Sequence, residues 1–331
     1  MTGNEKIVKL LIRRGCDVNQ VDYDHRDTPL TAACRKGNEK IVQLLIRRGC
    51  DVHVNARVDT PLTAACWGRK DKIVQLLIDK GCDVTQAGVT GRTPLTAAGW
   101  GGNKNIVELL IENGCSINDQ VNNIKDTPLV AACWGGDMTL VQLLIEKGCD
   151  INQFDGNGDT PLSAACRGGN EKMVRFLIDK GCDVIRTDVK IHLMAACWGG
   201  NEKIVQLLLE HGCDINQRNY LGYSPLVAAC SGVNYKLVQF LIEKGCDINK
   251  ADCTGDTSLA AACVMGNERF VQFLIDKGCD VTQADCKEKI HLMAAFHGGN
   301  VKIVKLLLEK GCDVNQVYDT YGKDTFDSCL F

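Results

Sequence analysis

No stretch of the chain strings together the ~18 apolar residues that a membrane-crossing helix needs. The opening MTGNEKIVKLLIRRG is charged and amphipathic and lacks the apolar centre of a signal peptide. There is no Asn-x-Ser/Thr sequon, and Cys329 in the closing DSCLF sits one place short of a prenylation box. A net charge of -3 and the lack of basic stretches interleaved with aromatics argue against a nucleic-acid binder. Charge is unevenly spread: residues 1–70 carry 13 Lys/Arg against 8 Asp/Glu, the remainder 25 against 33. That polarity reads as solvated surface. Signatures of catalysis are also missing: no glycine-rich phosphate loop between strand and helix, no G-x-S-x-G, no H-E-x-x-H. The histidines, His25, His53, His192, His211, His291 and His297, are scattered, and the matching places of His192 and His291 read as drift within a repeat. The chain reads as a non-enzyme without a cofactor.

Aromatic residues are few, 6 Tyr, 8 Phe and 4 Trp, yet every Trp shares one local context. Trp67, Trp100, Trp134 and Trp198 stand in AACWGR, AAGWGG, AACWGG and AACWGG. Cysteine, by contrast, is abundant, with 20 residues in two ladders. Ten follow glycine in GC (Cys16, Cys50, Cys82, Cys115, Cys149, Cys182, Cys213, Cys246, Cys279, Cys312). Seven close AAC (Cys34, Cys66, Cys133, Cys166, Cys197, Cys230, Cys263), and Cys253, Cys286 and Cys329 stand outside. No Cys-x-x-Cys occurs, and His211-Gly-Cys213 is the compact His/Cys pair, so a zinc site is not indicated.

The GC steps are 34, 32, 33, 34, 33, 31, 33, 33 and 33 residues, a period that marks stacked supersecondary repeats. In DTPLSAACRGGNEKMVRFLIDKGCDVI (159–185), Thr160 caps a helix and Pro161 suits its first position. Gly168-Gly169 ends it, Asn170 caps a second helix, and Gly181 supplies the left-handed residue that closes it. The second cap reads Asn38, Asp71, Asn103, Asp137, Asn170, Asn201, Asn234, Asn267 and Asn300 along the chain. The second helix, as in Ile41-Val42-Gln43-Leu44-Leu45-Ile46, is apolar around most of its circumference and so expects neighbours on several sides.

The pattern DTPL…AA…GN…IVQLLIEKGCDVNQ resembles the ankyrin repeat over essentially the whole chain. The resemblance implies an all-α solenoid of stacked helix-turn-helix units joined by β-turn or hairpin-like loops. Residues 1–23 form a partial repeat, 24–318 nine complete repeats, and 319–331 a second partial one. The family's His after T-P-L is replaced by Thr31, Thr63, Thr96, Val130, Ser163, Met194, Val227, Ala260 and Met293, so its hydrogen bonds must be altered or missing. KIHL replaces T-P-L at 190–193 and 289–292, where weaker helix starts are expected. Both cysteine ladders fall on the family's small residues. Equivalent positions in adjacent repeats stand roughly 8–10 Å apart, beyond the ~4.4–6.8 Å that a disulfide spans. Free thiols fit a reducing compartment, cytoplasmic or nuclear.

In the family, partners bind the concave face, and the residue after AAC lies there by resemblance. It reads Arg35, Trp67, Trp100, Trp134, Arg167, Trp198, Ser231, Val264 and His297. Trp and Arg are the types most enriched in interface hot spots, so Arg35, Trp67, Trp100, Trp134, Arg167 and Trp198 are candidate partner-binding residues. At roughly 10 Å per repeat they would form a long ridge. The competing reading packs each Trp over turn glycines. Asn19, Asn152, Asn216, Asn249 and Asn315 match the Leu-x5-Asp-Val/Ile-Asn pattern that resembles asparaginyl hydroxylation sites; Asn118 has Ser116 in place of Asp. Alternatively this Asn ties down the turn. The expected function is a protein-interaction scaffold without catalysis, metal or cofactor. The alternative is a targeting or regulatory segment of a larger channel, kinase or ubiquitin-ligase adaptor. Apolar ends without capping character predict continuation or end-to-end association.

Overall fold

All six prolines of the chain stand at the first position of a helix behind a Thr or Ser cap: Pro29, Pro61, Pro94, Pro128, Pro161 and Pro225. A proline costs nothing there, because its missing N–H would have had no intrahelical acceptor. The fold is seen in a computed structural model that describes residues 5–22, 27–53, 59–89, 91–118, 126–185, 192–218, 223–251, 257–282 and 291–312. All regular structure among them is helical, in 19 helices. The first helices of the repeats are α2 (Pro29–Lys36), α4 (Pro61–Trp67), α6 (Pro94–Gly101), α8 (Pro128–Gly135) and α10 (Pro161–Arg167), then α12 (His192–Gly199), α14 (Pro225–Ser231), α16 (Ser258–Met265) and α18 (His291–His297). The second helices are α1 (Glu5–Arg13), α3 (Glu39–Arg47), α5 (Asp71–Asp79), α7 (Lys104–Glu112) and α9 (Met138–Glu146). They continue as α11 (Glu171–Asp179), α13 (Glu202–Glu210), α15 (Tyr235–Glu243), α17 (Glu268–Asp276) and α19 (Val301–Glu309).

Residues 1–168 with 175–182 form one compact body, and 169–174 with 183–331 another. Within the first, α2, α4, α6, α8 and α10 pack in series; within the second, α12, α14, α16 and α18 do the same. Within each body the second helices α3, α5, α7, α9, α13, α15, α17 and α19 pack on the first helix of their own repeat and more sparsely on one another. The second helices are less uniformly apolar than their sequence suggests. In α5, Ile73, Val74 and Leu77 are buried, Leu76 and Ile78 half-buried, and Lys72, Gln75 and Asp79 exposed. Each fully buried Leu or Ile contributes about 1.5–3 kcal/mol.

The helix ends follow the sequence in most repeats. Asn38, Asn103, Asp137, Asn201, Asn234, Asn267 and Asn300 accept from first-turn N–H groups as N-caps. One assignment needs correction. Asp71 is the first helical residue of α5, and the cap is Lys70, whose side chain makes no capping bond. The missing family His is also compensated locally. Thr31 and Thr63 hydroxyls meet the cap hydroxyls of Thr28 and Thr60 at 2.9 Å, while Thr96 and Ser163 close reciprocal boxes with Thr93 and Thr160. Gly99 replaces the cysteine of AAC because α8 approaches closely. A Cβ there would lie 2.8 Å from the Pro128 carbonyl oxygen and 3.1 Å from Ala131 Cβ.

Candidate functional site

The position after AAC is the last or next-to-last residue of each first helix, held at the helix end by the glycine turn that follows. In the first body it forms a connected row. The Trp67 and Trp100 rings are 6.2 Å apart at 41°, and Trp100 and Trp134 are 6.3 Å apart at 15°. Each step is far shorter than the ~10 Å spacing of the helices, because the indoles lean together. The Arg92 guanidinium stands 4.7 Å from the Trp67 ring and that of Arg167 5.7 Å from the Trp134 ring, both within cation–π range. Trp67 remains 40% exposed, whereas Trp100 and Trp134 are half-buried.

A second row, the residues just before T-P-L, underlies the first. Arg35 donates to Asp27 and, at 3.1 Å, to Asp59 of the next repeat; both carboxylates are buried. Trp100 Nε1 donates to Asp126 Oδ2 of the next repeat at 3.0 Å. Arg92 over Trp67 occupies the same pair of positions, with the cation now on the residue before T-P-L and a neutral ring at the end of the first helix. The residue after AAC therefore reaches forward to the residue before T-P-L of its neighbour. This coupling was not foreseen from the sequence, although the recurring Asp of DTPL was its visible signal.

Trp198 belongs to the second body and is 39% exposed. Its counterparts there diverge: Ser231 donates back to the Val227 carbonyl at 3.0 Å, and Val264 is 56% exposed. His192 and His291, read as drift, have structural roles. Both are buried at the first position of α12 and α18. Their Nδ1 atoms meet the carbonyl oxygens of Val184 at 3.0 Å and Val281 at 3.2 Å, and His291 Nε2 meets Thr257 Oγ1 at 2.6 Å.

Sixteen of the seventeen described cysteines are buried, and none of the seventeen is in a disulfide. Those of the GC ladder donate to the preceding repeat: Cys50 to the Val18 carbonyl at 3.1 Å, Cys115 to Val84 at 2.9 Å, Cys312 to Val281 at 2.9 Å. Burial pushes the Cys50 and Cys213 thiols up to about 11. Among the described residues no group of three His, Cys, Asp or Glu is arranged to hold a metal. Cys253, Cys286 and Cys329 lie outside the described residues.

The Asp-x-Asn turns repeat one geometry. The N–H groups of Asn19, Asn152, Asn216 and Asn249 donate to the carboxylates of Asp17, Asp150, Asp214 and Asp247 at 2.9–3.0 Å. The side-chain oxygens of Asn19, Asn118 and Asn249 then accept from the N–H of Asp51, Asp150 and Asp280 in the next repeat. Asn315 lies outside the described residues. No helix among the described residues is long and apolar enough to cross a membrane.

The sequence profile described as "Ankyrin repeats (3 copies)" matches residues 1–88, 53–121, 118–188, 193–285 and 226–318. The crystal structure of the human ASB11 ankyrin repeat domain is similar, with 25% identity and a TM-score of 0.56. The match covers 67% of this chain and 99% of that one. No curated protein matches. Helix pairs at a 33-residue period, capped by T-P-L and stacked in series, match this profile nearly end to end, and the chain belongs to the ankyrin-repeat family.

Proposed function

We propose that this chain is a non-enzymatic scaffold that binds partner proteins on the face carried by the ends of its first helices. The candidate binding residues are Arg35, Trp67, Trp100, Trp134 and Arg167 in the first body and Trp198 in the second. The observation that carries this reading is the row of three indoles flanked by two guanidiniums, with Trp67 40% exposed. Ankyrin repeats mediate protein–protein interaction, and Trp and Arg are among the residue types most enriched in interface hot spots. Residues 1–23, 24–318 and 319–331 serve this reading as a partial repeat, nine complete repeats and a partial repeat. The free, buried thiols support a reducing compartment such as cytoplasm or nucleus.

Trp67 is the residue to test first, since it is more exposed than Trp100, which also holds Asp126. Affinity capture with Trp67→Ala beside the wild type is expected to lose partners while the melting temperature falls by only about 2–4 °C. Unchanged capture would sink the assignment. A second reading concerns Asn19, Asn152, Asn216 and Asn249 as hydroxylation acceptors, favoured by their shared turn geometry. Co-expression with an asparaginyl hydroxylase should add the mass of one oxygen per site; an unchanged intact mass rejects it.

A further inference from the structure

We infer that the indole row is a docking groove for an extended basic segment, seating an Arg or Lys of the partner on Trp100 beside Asp126. This rests on the scaffold reading above and names the chemistry of the partner.

The outer rings of the row already draw cations from this chain: Arg92 lies over Trp67 and Arg167 over Trp134. Among the described residues none lies over Trp100, the middle ring, so the series Arg, Trp, Trp, Trp, Arg lacks a cation at its centre. Trp100 is also the ring best prepared for one. Its Nε1 donates to Asp126 Oδ2 at 3.0 Å, and donation to a carboxylate pushes electron density into the ring, strengthening the attraction of its face for a cation. Asp126 itself is half-buried, close enough to solvent for its charge to be felt by a ligand.

Charge along the row points the same way. Four carboxylates, Asp27, Asp59, Asp126 and Asp159, stand before the T-P-L prolines, against Arg35, Arg92 and Arg167. Asp27 and Asp59 are engaged by the single Arg35, and Asp59 Oδ1 is buried with no hydrogen-bond partner. Across residues 27–168, which carry the whole row, the sequence has 15 Lys/Arg and 16 Asp/Glu, so the pull on a cation is local, at Asp126. An acidic side chain on Trp100 would meet the like charge of Asp126; a basic one is attracted to it. The spacing selects an extended ligand. Ring steps of 6.2 and 6.3 Å approach the ~6.6 Å between same-face side chains of a strand. With the cation of residue i+2 on Trp100, uncharged residues i and i+4 would meet Trp67 and Trp134, where Arg92 and Arg167 already stand.

The test uses the full chain and three synthetic peptides of equal length, alternating Gln-Ser with the central Gln kept or replaced by Arg or by Glu, with binding read by calorimetry and indole fluorescence. Asp126→Asn keeps an acceptor for Trp100 Nε1 but removes the charge; Trp100→Phe keeps a ring but loses the bond. The basic peptide is expected to bind, and each variant to weaken it by about five- to tenfold at unchanged helicity. Equal binding of the basic peptide by wild type and Asp126→Asn overturns the inference, as does no binding by any peptide. Row-dependent binding of the acidic or neutral peptide overturns the charge assignment while leaving the interaction surface standing. Lost capture by Trp67→Ala is independent of all three results.

Discussion

Lys70 shows how much a single residue can depart from the frame around it. Asn or Asp holds this place in the other complete repeats, and Lys70 leaves the first turn of α5 without a side-chain acceptor. Asp71 beside it cannot substitute, since a residue already inside the helix points its carboxylate away from the free N–H groups and acts only through the helix dipole. Lys70→Asn is therefore expected to raise stability by about 1 kcal/mol, measured by chemical denaturation. A lower midpoint would mean that the Lys70 stem, which lies over Gly37, outweighs the cap. The positions of caps and tryptophans were legible in the sequence, because short-range punctuation sets them. The orientation of each Trp was not. It depends on the residue before T-P-L about 25 positions on, which is Arg92 for Trp67 and Asp126 for Trp100.

At the scale of elements, α12 and α18 reverse an expectation. A helix whose first residue is His in place of Pro was expected to start weakly. Instead each His is buried and hydrogen-bonded to the turn behind it, and His291 also reaches the cap of α16. The Val281 carbonyl accepts from both His291 and Cys312, so one atom ties the start of α18 and the turn after α19 to the preceding turn. Restoring the residue found in six other repeats should accordingly do harm. His291→Pro is expected to destabilise by about 1–3 kcal/mol, with amide exchange accelerated most in α16 and α18. Exchange unchanged in both helices would show that the histidine bonds add nothing. Sequence alone could not reveal this, since KIHL shows that His replaces Pro at two matching positions but not that its ring is buried against the preceding turn.

For the whole molecule the dominant feature is a core rich in buried thiols. Sixteen of the twenty cysteines are buried among the described residues, with Cys16 exposed. A native protein should thus show at most four fast thiols against a disulfide reagent, and all twenty once unfolded. More in the native state would contradict the packing. The same burial sets a pH limit. From an ordinary value of 9.0, Cys50 and Cys213 rise to about 11 and Cys149, Cys246 and Cys279 to about 12. The folded chain then holds protons that the unfolded chain releases. This contribution is complete below pH 9.0 and is lost as pH climbs through about 11 to 12, so unfolding midpoints should fall across that window. The tight approach at Gly99 has an optical consequence. It seats Trp134 nearly parallel to Trp100 at 6.3 Å, where the electronic transitions of two indoles mix and the absorption splits. Coupling of this kind fades with the cube of distance. The circular dichroism couplet of the three-indole row thus serves as an internal gauge of how closely these three repeats stay stacked.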